Sequence, residues 1–215
     1  MEDSTSKEKI LKKIRKALIH KSEVDFGAVD FDSEIYASSD DSRELLFAQR
    51  FTALNGKFAF CESEQDFVST FSSVINENKW DNIFCLEESL KTVLKKGGIT
   101  FSDKESDFIN TNVGVTACEF LVARTGSVMI SSKQASGRRL PAYSNYHIVV
   151  AYTDQLVYDV KDALKGIKTK YGNHIPSLIS TITGPSRTAD IEKTLVQGAH
   201  GPKEIYVFLI DSSGK

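Results

Sequence analysis

The sequence predicts an α/β protein: an open, mostly parallel sheet with flanking helices, preceded by an N-terminal helical arm. Three observations carry that prediction. From Asp41 onward, short apolar runs alternate with amphipathic stretches long enough for helices, the pattern of parallel βαβ units. The runs Ile148–Val150 and Val207–Ile210 are apolar at every position, as strands covered on both faces require. Glycines punctuate the pattern where helices should close.

Residues 7–20 carry Ile10, Leu11, Ile14, Ala17 and Leu18 at helical spacing with lysines between them, an amphipathic helix. Its basic face either touches an anionic partner or is a solvated face over the body of the fold, and it is a candidate for self-association into a homo-oligomer. The acidic, serine-rich segment "SEVDFGAVDFDSEIYASSDDS" reads as a linker, so the chain divides into an arm, 1–40, and an α/β domain, 41–215. In the domain, "DSRELLFAQRFTALNG" predicts a helix closed by Gly56 in a left-handed conformation. "KFAFC" predicts a strand, and "SEQDFVSTFSSVINENK" a helix with Ser63 as N-cap and Asp66 in its first turn. "DNIFCLE" and "ITFS" predict strands on either side of a helix, "ESLKTVLKKGG", that ends at Gly97. "EFLVARTGSVMISS" predicts a hairpin turning at Gly126. Strand "NYHIVVAYT", a helix within "QLVYDVKDALKGIKTKYG", strand "SLISTI", helix "RTADIEKTLVQG" and strand "KEIYVFLID" complete the expectation.

Composition narrows the function. With 27 basic and 29 acidic side chains the net charge is -2, and "KEKILKKIRKALIHK" is the one basic cluster. A nucleic-acid groove would need more. Cys61, Cys85 and Cys118 form no CxxC pair, so this chain cannot supply the four thiolates of a standard iron–sulfur cluster. They read as buried free thiols in a reducing compartment, and no cofactor is expected in this chain. No apolar run reaches the roughly 18 residues of a membrane span, and the start has no signal-peptide core. The expectation is a cytoplasmic protein.

The segment "TGPSRTADIE" is the strongest candidate site. Expected between a strand and a helix, it would lie beyond the carboxyl end of a parallel strand, where open α/β sheets bind ligands. Gly184 permits a tight turn and Pro185 suits a helix start. Ser186 and Thr188 bring hydroxyls, Arg187 a planar fork for a carboxylate or phosphate, and the N–H groups around Ala189 the positive end of a helix. The same residues also make an ordinary capped helix, with Ser186 or Thr188 as N-cap, Asp190 in the first turn and Arg187 in a surface ion pair. Further on, His200 between Gly198 and Gly201 is either an acid, base or anion donor or a plain loop residue. Arg138 and Arg139 either reach an anion or lie on the surface; Glu119 and His147 read as structural. No Walker A loop, GxSxG elbow or metal-ligand spacing is present.

Three blocks together resemble the LUD domain, the lactate-utilization protein C family: "VGVTACEFLVARTGSVMISS", "GRRLPAYSNYHIVV" and "TGPSRTADIEKTLVQGAHGPKEIYVFLID". The resemblance covers Asn112 to Asp211 most clearly. It implies a fold similar to the NagB/RpiA/CoA-transferase group. It also implies membership of a system oxidising L-lactate to pyruvate, whose partner subunits hold the iron–sulfur clusters. The family commonly has "AETGT" where this chain has "ARTGS", so Arg124 and Ser127 depart from it, and any acid–base role of that glutamate is in doubt.

Three functions are therefore weighed. The first is a cluster-free subunit of a lactate-utilisation system, with a small anion held by Thr125, Gly126, Ser127, Gly184, Pro185, Ser186, Arg187, Thr188, Ala189, Asp190, His200 and Gly201. The second is an isomerase or CoA-transferase-like enzyme with Glu119 or Asp190 as base and His200 assisting. The third is a non-catalytic interaction subunit.

Overall fold

A computed structural model describes residues 5–19, 36, 41–188 and 196–213. The chain forms two units, Met1–Ser38 and Ser39–Lys215. In the first, helix α1 spans Ser6–Ile19. It starts at a reciprocal cap: Thr5 N–H donates to the Glu8 carboxylate at 2.9 Å, and Glu8 N–H donates to Thr5 Oγ1 at 3.4 Å. Its apolar stripe, Ile10, Leu11, Ile14 and Leu18, is exposed.

The second unit is built on five parallel strands. In chain order they are β1 (Lys57–Cys61), β2 (Ile83–Cys85), β3 (Val113–Thr116), β6 (Tyr146–Tyr152) and β11 (Glu204–Ile210). Their spatial order is β1-β11-β6-β3-β2, every pairing parallel. The expected strand at "ITFS" is reduced to one bridge, Ser102 to Phe84.

Alternate residues of the two central strands serve two cores. Ile148 and Val150, with Tyr206, Phe208 and Ile210, face helices α3 (Glu64–Asn78) and α4 (Glu88–Lys96). There Phe67 and Phe71 stack at 5.6 Å, and Phe208 meets Phe67 edge-on at 5.2 Å. Val149, Ala151, Ile205, Val207 and Leu209 pack on Leu46, Phe47 and Phe51 of α2 (Arg43–Ala53) and on a second sheet. Both faces are covered, which is why the two strands are apolar throughout.

The second sheet joins β7 (Leu156–Val157), β4 (Phe120–Val122), β5 (Ser127–Ser131) and β8 (Ile179–Ile182) in that order. Strand β4 pairs parallel with β7 and antiparallel with β5, and β5 pairs antiparallel with β8. The expected hairpin is present, turning at Gly126 with φ 61. Its outer face receives Ala163 and Ile167 of α6 (Val160–Tyr171).

Two local expectations are corrected. Gly56 does not carry the left-handed turn after α2; Asn55 does, at φ 64. Gly56 is instead needed for space, since a Cβ there would lie 2.4 Å from the Phe51 ring. The expected helix "RTADIEKTLVQG" begins as a strand: β9 (Arg187–Thr188) pairs antiparallel with β10 (Val196–Gln197). The cause lies just upstream. Ser186 N–H donates to the Pro202 carbonyl at 2.9 Å and Ser186 O accepts from Gly198 N–H at 3.0 Å, which commits the backbone to a ladder. Residues 189–195, with the expected roles of Ala189 and Asp190, lie outside the described residues.

The three cysteines are free and buried. Burial pushes their thiols up, to about 11 at Cys61 and about 12 at Cys85, so none is a ready thiolate. His147 on β6 is fully buried; Nε2 bonds Thr116 Oγ1 at 2.8 Å and Nδ1 has no partner. Burial pushes its pKa from 6.5 down to about 3. The folded chain therefore binds fewer protons than the unfolded one between those values, and stability falls as pH drops through that window. One such group contributes up to about 1.4 kcal/mol per pH unit. Denaturant unfolding at pH 7 and pH 5 should show this loss, and His147→Gln should flatten the slope by about one proton; an unaltered slope would exclude His147 as its source.

Candidate functional site

The motif expected to form the site does collect several of its residues around one cavity. Ser186 is held to Pro202 and Gly198 by the two backbone bonds of the ladder. Gly201 approaches Ser186 so closely that a Cβ would lie 3.1 Å from the serine Cβ. The "TGPS" and "AHGP" turns are thus fixed to each other before any ligand arrives. Facing them is helix α5 (Leu140–Tyr143), with Arg138 just before it. Between these parts is a cavity of about 310 Å³. Its apolar floor includes Ile130, Leu178 and Ile182, and its polar wall holds Arg138, Ser180, Ser186 and His200. Among the described residues its lining carries one formal charge, that of Arg138, and no acidic side chain.

The cavity is not where the strand order suggested. His200 to Pro202 lead into β11, and α5 leads into β6, with Lys203 N–H donating to Asn145 O at 2.8 Å between the two strand starts. The motif therefore lies at the amino ends of the central parallel strands. The reason is that "SLISTI" became β8 of the second sheet, antiparallel to β5.

Other expected residues form a second group on the carboxyl end of α2, and Gly184, which lines the cavity, belongs to both. Gly184, at φ 89, passes so close that a Cβ would sit 2.8 Å from Leu54 O. Arg187 donates to that same carbonyl at 2.6 Å, placing its charge at the negative end of α2. It is not among the cavity-lining residues. Ser127 Oγ bonds Thr183 Oγ1 at 2.9 Å, and Gly126 fits where a Cβ would lie 2.6 Å from Phe51 N. Thr125 Oγ1 is buried without a partner, and Pro185 is buried. Thr188 is spent in the ladder opposite Val196. Of the arginine pair, Arg138 faces the cavity, whereas Arg139 pairs with Glu105 at 2.9 Å and covers the Phe108 ring.

Glu119 is buried but fully engaged. It accepts from Ser131 at 2.6 Å, Tyr171 at 2.7 Å and Lys170 at 2.8 Å. Burial opposes its charge, yet these donors outweigh burial and hold the carboxyl below its usual range. A general base for neutral pH needs the opposite shift, and Glu119 does not line the cavity that His200 lines. Arg124, which departs from the LUD pattern, clamps Asp159 at the start of α6 with bonds of 2.8 and 3.2 Å. The Arg124 guanidinium in turn holds the Asp159 carboxyl low.

A second concavity, of about 680 Å³, lies at the other end of the parallel sheet, past the carboxyl ends of β2, β3 and β6. Glu87, Cys118, Lys133, Gln134, Tyr152 and Lys170 are on its wall. Sequence reasoning passed over Glu87 and Gln134. The signal that finds Glu87 is its place two residues after a parallel strand, at the start of a helix. Among the described residues, no group of three His, Cys, Asp or Glu is placed to hold a metal ion.

Comparison with known proteins places this geometry in context. The family model of the LUD domain matches residues 45–210. Over 103 residues the chain is 38% identical to a protein of Bacillus licheniformis called lactate utilization protein C, a match covering 46% of this chain and 43% of that protein. It is 33% identical over 107 residues to an uncharacterized protein of Neisseria meningitidis, covering 50% and 46% respectively. The matched stretch thus spans less than half of either relative's length. The crystal structure of a DUF162 family protein from Deinococcus radiodurans superposes with a TM-score of 0.55 at 15% identity, over 79% of this chain and 98% of that one, a likeness of fold.

The Arg124–Asp159 clamp yields a direct test. Arg124→Glu removes the pair and sets two carboxylates together at the start of α6. A half-buried pair of this kind is worth about 1 kcal/mol, and the melting temperature should fall by roughly 2–4 °C. A melting temperature equal to wild type would show the clamp to be energetically silent.

Proposed function

Because the chain belongs to the LUD domain family, we propose that it serves lactate utilisation as the cluster-free member of a cytoplasmic lactate-oxidising system, binding a small carboxylate in the motif cavity. The process is suggested by the relatives that carry the name lactate utilization protein C. The ligand class is suggested by one observation: Arg138, Ser186 and His200 converge on a cavity with no lining acid among the described residues, between turns already pinned together. Arginine can meet a carboxylate with two parallel bonds, serine and histidine add neutral donors, and the apolar floor suits a short carbon chain. Arg187 supports this site from behind by fixing the loop to α2. The electron-carrying clusters would belong to partner chains, in keeping with three dispersed, buried thiols here. No helix among the described residues is long and apolar enough to cross a membrane.

The rival enzyme reading needs Glu119 or Asp190 as base beside His200; Glu119 is committed elsewhere, and Asp190 lies outside the described residues. The reading as an interaction subunit draws on the uncovered apolar stripe of α1. Deleting α1 should then abolish complex formation while leaving anion binding intact.

Calorimetric titration with L-lactate, pyruvate and inorganic phosphate tests the cavity. A hydrogen bond to a charged group is worth about 1.5–3 kcal/mol, so Arg138→Ala should weaken the carboxylates by roughly ten- to a hundredfold. Arg187→Ala should instead lower the melting temperature and leave affinity within about twofold, since its guanidinium caps a helix. Equal affinity of wild type and Arg138→Ala for every anion bound would remove the cavity from consideration. Purified protein should be colourless, and stoichiometric iron with a visible absorption band would refute the assignment of clusters to partners.

A further inference from the structure

Every α-helix of the second unit buries apolar side chains, whereas α1 buries none. Ile10, Leu11, Ile14 and Leu18 are 42 to 64% exposed. At 3.6 residues per turn they fall, with Ala17, on one arc of the helix. Arg15, Lys12, Lys16, Lys9 and Lys13 fill the rest of the circumference, with Arg15 and Lys13 at the two borders of the stripe. Lys7, in the first turn, falls on the apolar side, where a lysine stem can lie along the stripe with its ammonium reaching outward. Six cations against one acid give α1 a net charge of +5. That acid, Glu8, is engaged in the N-terminal cap with Thr5.

In water this composition works against the helix. Lys9 and Lys13 are like charges four residues apart, and so are Lys12 and Lys16, spacings that destabilise an isolated helix. Among the described residues no cation of α1 forms an ion pair. The partner must therefore supply negative charge as well as apolar surface. A second copy fails the first requirement, since it would set +5 against +5. An acidic groove in another protein would meet the stripe and its borders, but not Lys12 and Lys16 on the far side. A charged plane meets all of them: its field extends about 10 Å at 0.1 M salt, close to the width of a helix.

We propose that α1 lies in the plane of a lipid surface rich in anionic headgroups, with Ile10, Leu11, Ile14 and Leu18 among the acyl chains and the lysines at the phosphates. At 14 residues the helix is too short to span a bilayer and long enough to lie on one. The inference does not depend on the motif cavity, because it uses only residues of the first unit.

The test floats the full-length protein with vesicles of phosphatidylcholine alone or of equal parts phosphatidylcholine and phosphatidylglycerol. The mixed vesicles should carry the protein and the neutral ones should not. Raising salt from about 0.1 to about 1 M, which shortens the screening length from about 10 to about 3 Å, should release most of it. Ile14→Glu should weaken binding at least tenfold, since it removes the central apolar contact. Lys12→Ala with Lys16→Ala should weaken it roughly twentyfold, since one cation near an anionic surface is worth about fivefold. Ile14→Leu should bind as wild type does. All variants should keep the wild-type melting temperature, because α1 has no buried residue. Absence of binding to the mixed vesicles would overturn the proposal and leave the stripe to a protein surface. Equal binding to neutral vesicles, or binding indifferent to both sets of substitutions, would overturn it as well. So would a dimer that Ile14→Glu splits into monomers without any vesicle binding, which would assign the stripe to a second copy.

Discussion

The pairing of β6 with β11 underlies the rest of the molecule. Seven residue pairs run in parallel register from Glu204 against Tyr146 to Ile210 against Tyr152. Strands of this kind have no water on either face, so their side chains must supply two cores at once. Even-numbered residues of β6 meet the aromatic cluster of α3 and α4, and odd-numbered ones meet α2 and the second sheet. The second sheet is then covered in turn by α6. Each layer exists because the one beneath it has an apolar face to bury.

A parallel sheet also separates chemistry into two ends. Every strand starts at one end and finishes at the other, so residues that precede β6 and β11 meet at the amino end, and residues that follow β2, β3 and β6 meet at the carboxyl end. At the amino end are Arg138, Ser186 and His200 over an apolar floor, with no acid among the described lining residues. At the carboxyl end are Glu87, Gln134 and Asp154, beside two lysines. The two concavities thus differ in the described side chains that line them. The bonded network of Glu119, Ser131, Lys170 and Tyr171 ties the second sheet to α6 next to the carboxyl-end concavity.

Much of this was legible in the sequence because it is written in local chemistry. Ser63 caps α3 by accepting from Asp66 N–H at 3.2 Å, as its spacing to Asp66 suggested. Gly126 turns the hairpin with positive φ, and the apolar runs are the buried central strands. The gathering of Gly184, Ser186, His200 and Gly201 followed from two turn motifs whose glycine and proline content marked them as fixed backbone.

The sequence by itself therefore determined the fold class, the central strands, the cap of α3 and the turns that frame the motif cavity, since periodicity, caps and turn residues act within a few positions of one another. Only the tertiary structure decided the rest. It sent "SLISTI" to the second sheet and so moved the motif to the amino ends. It made Arg187–Thr188 a strand, turned the Arg187 guanidinium onto Leu54 O, and left the cavity to Arg138. It bonded Glu119 on three sides and buried Glu87 against Ser136 N–H, although both are acids close behind a parallel strand. Those outcomes depend on partners 12 to 133 residues away in the chain, such as Ser131 for Glu119 and Leu54 for Arg187, and no local pattern encodes which distant group a side chain will meet.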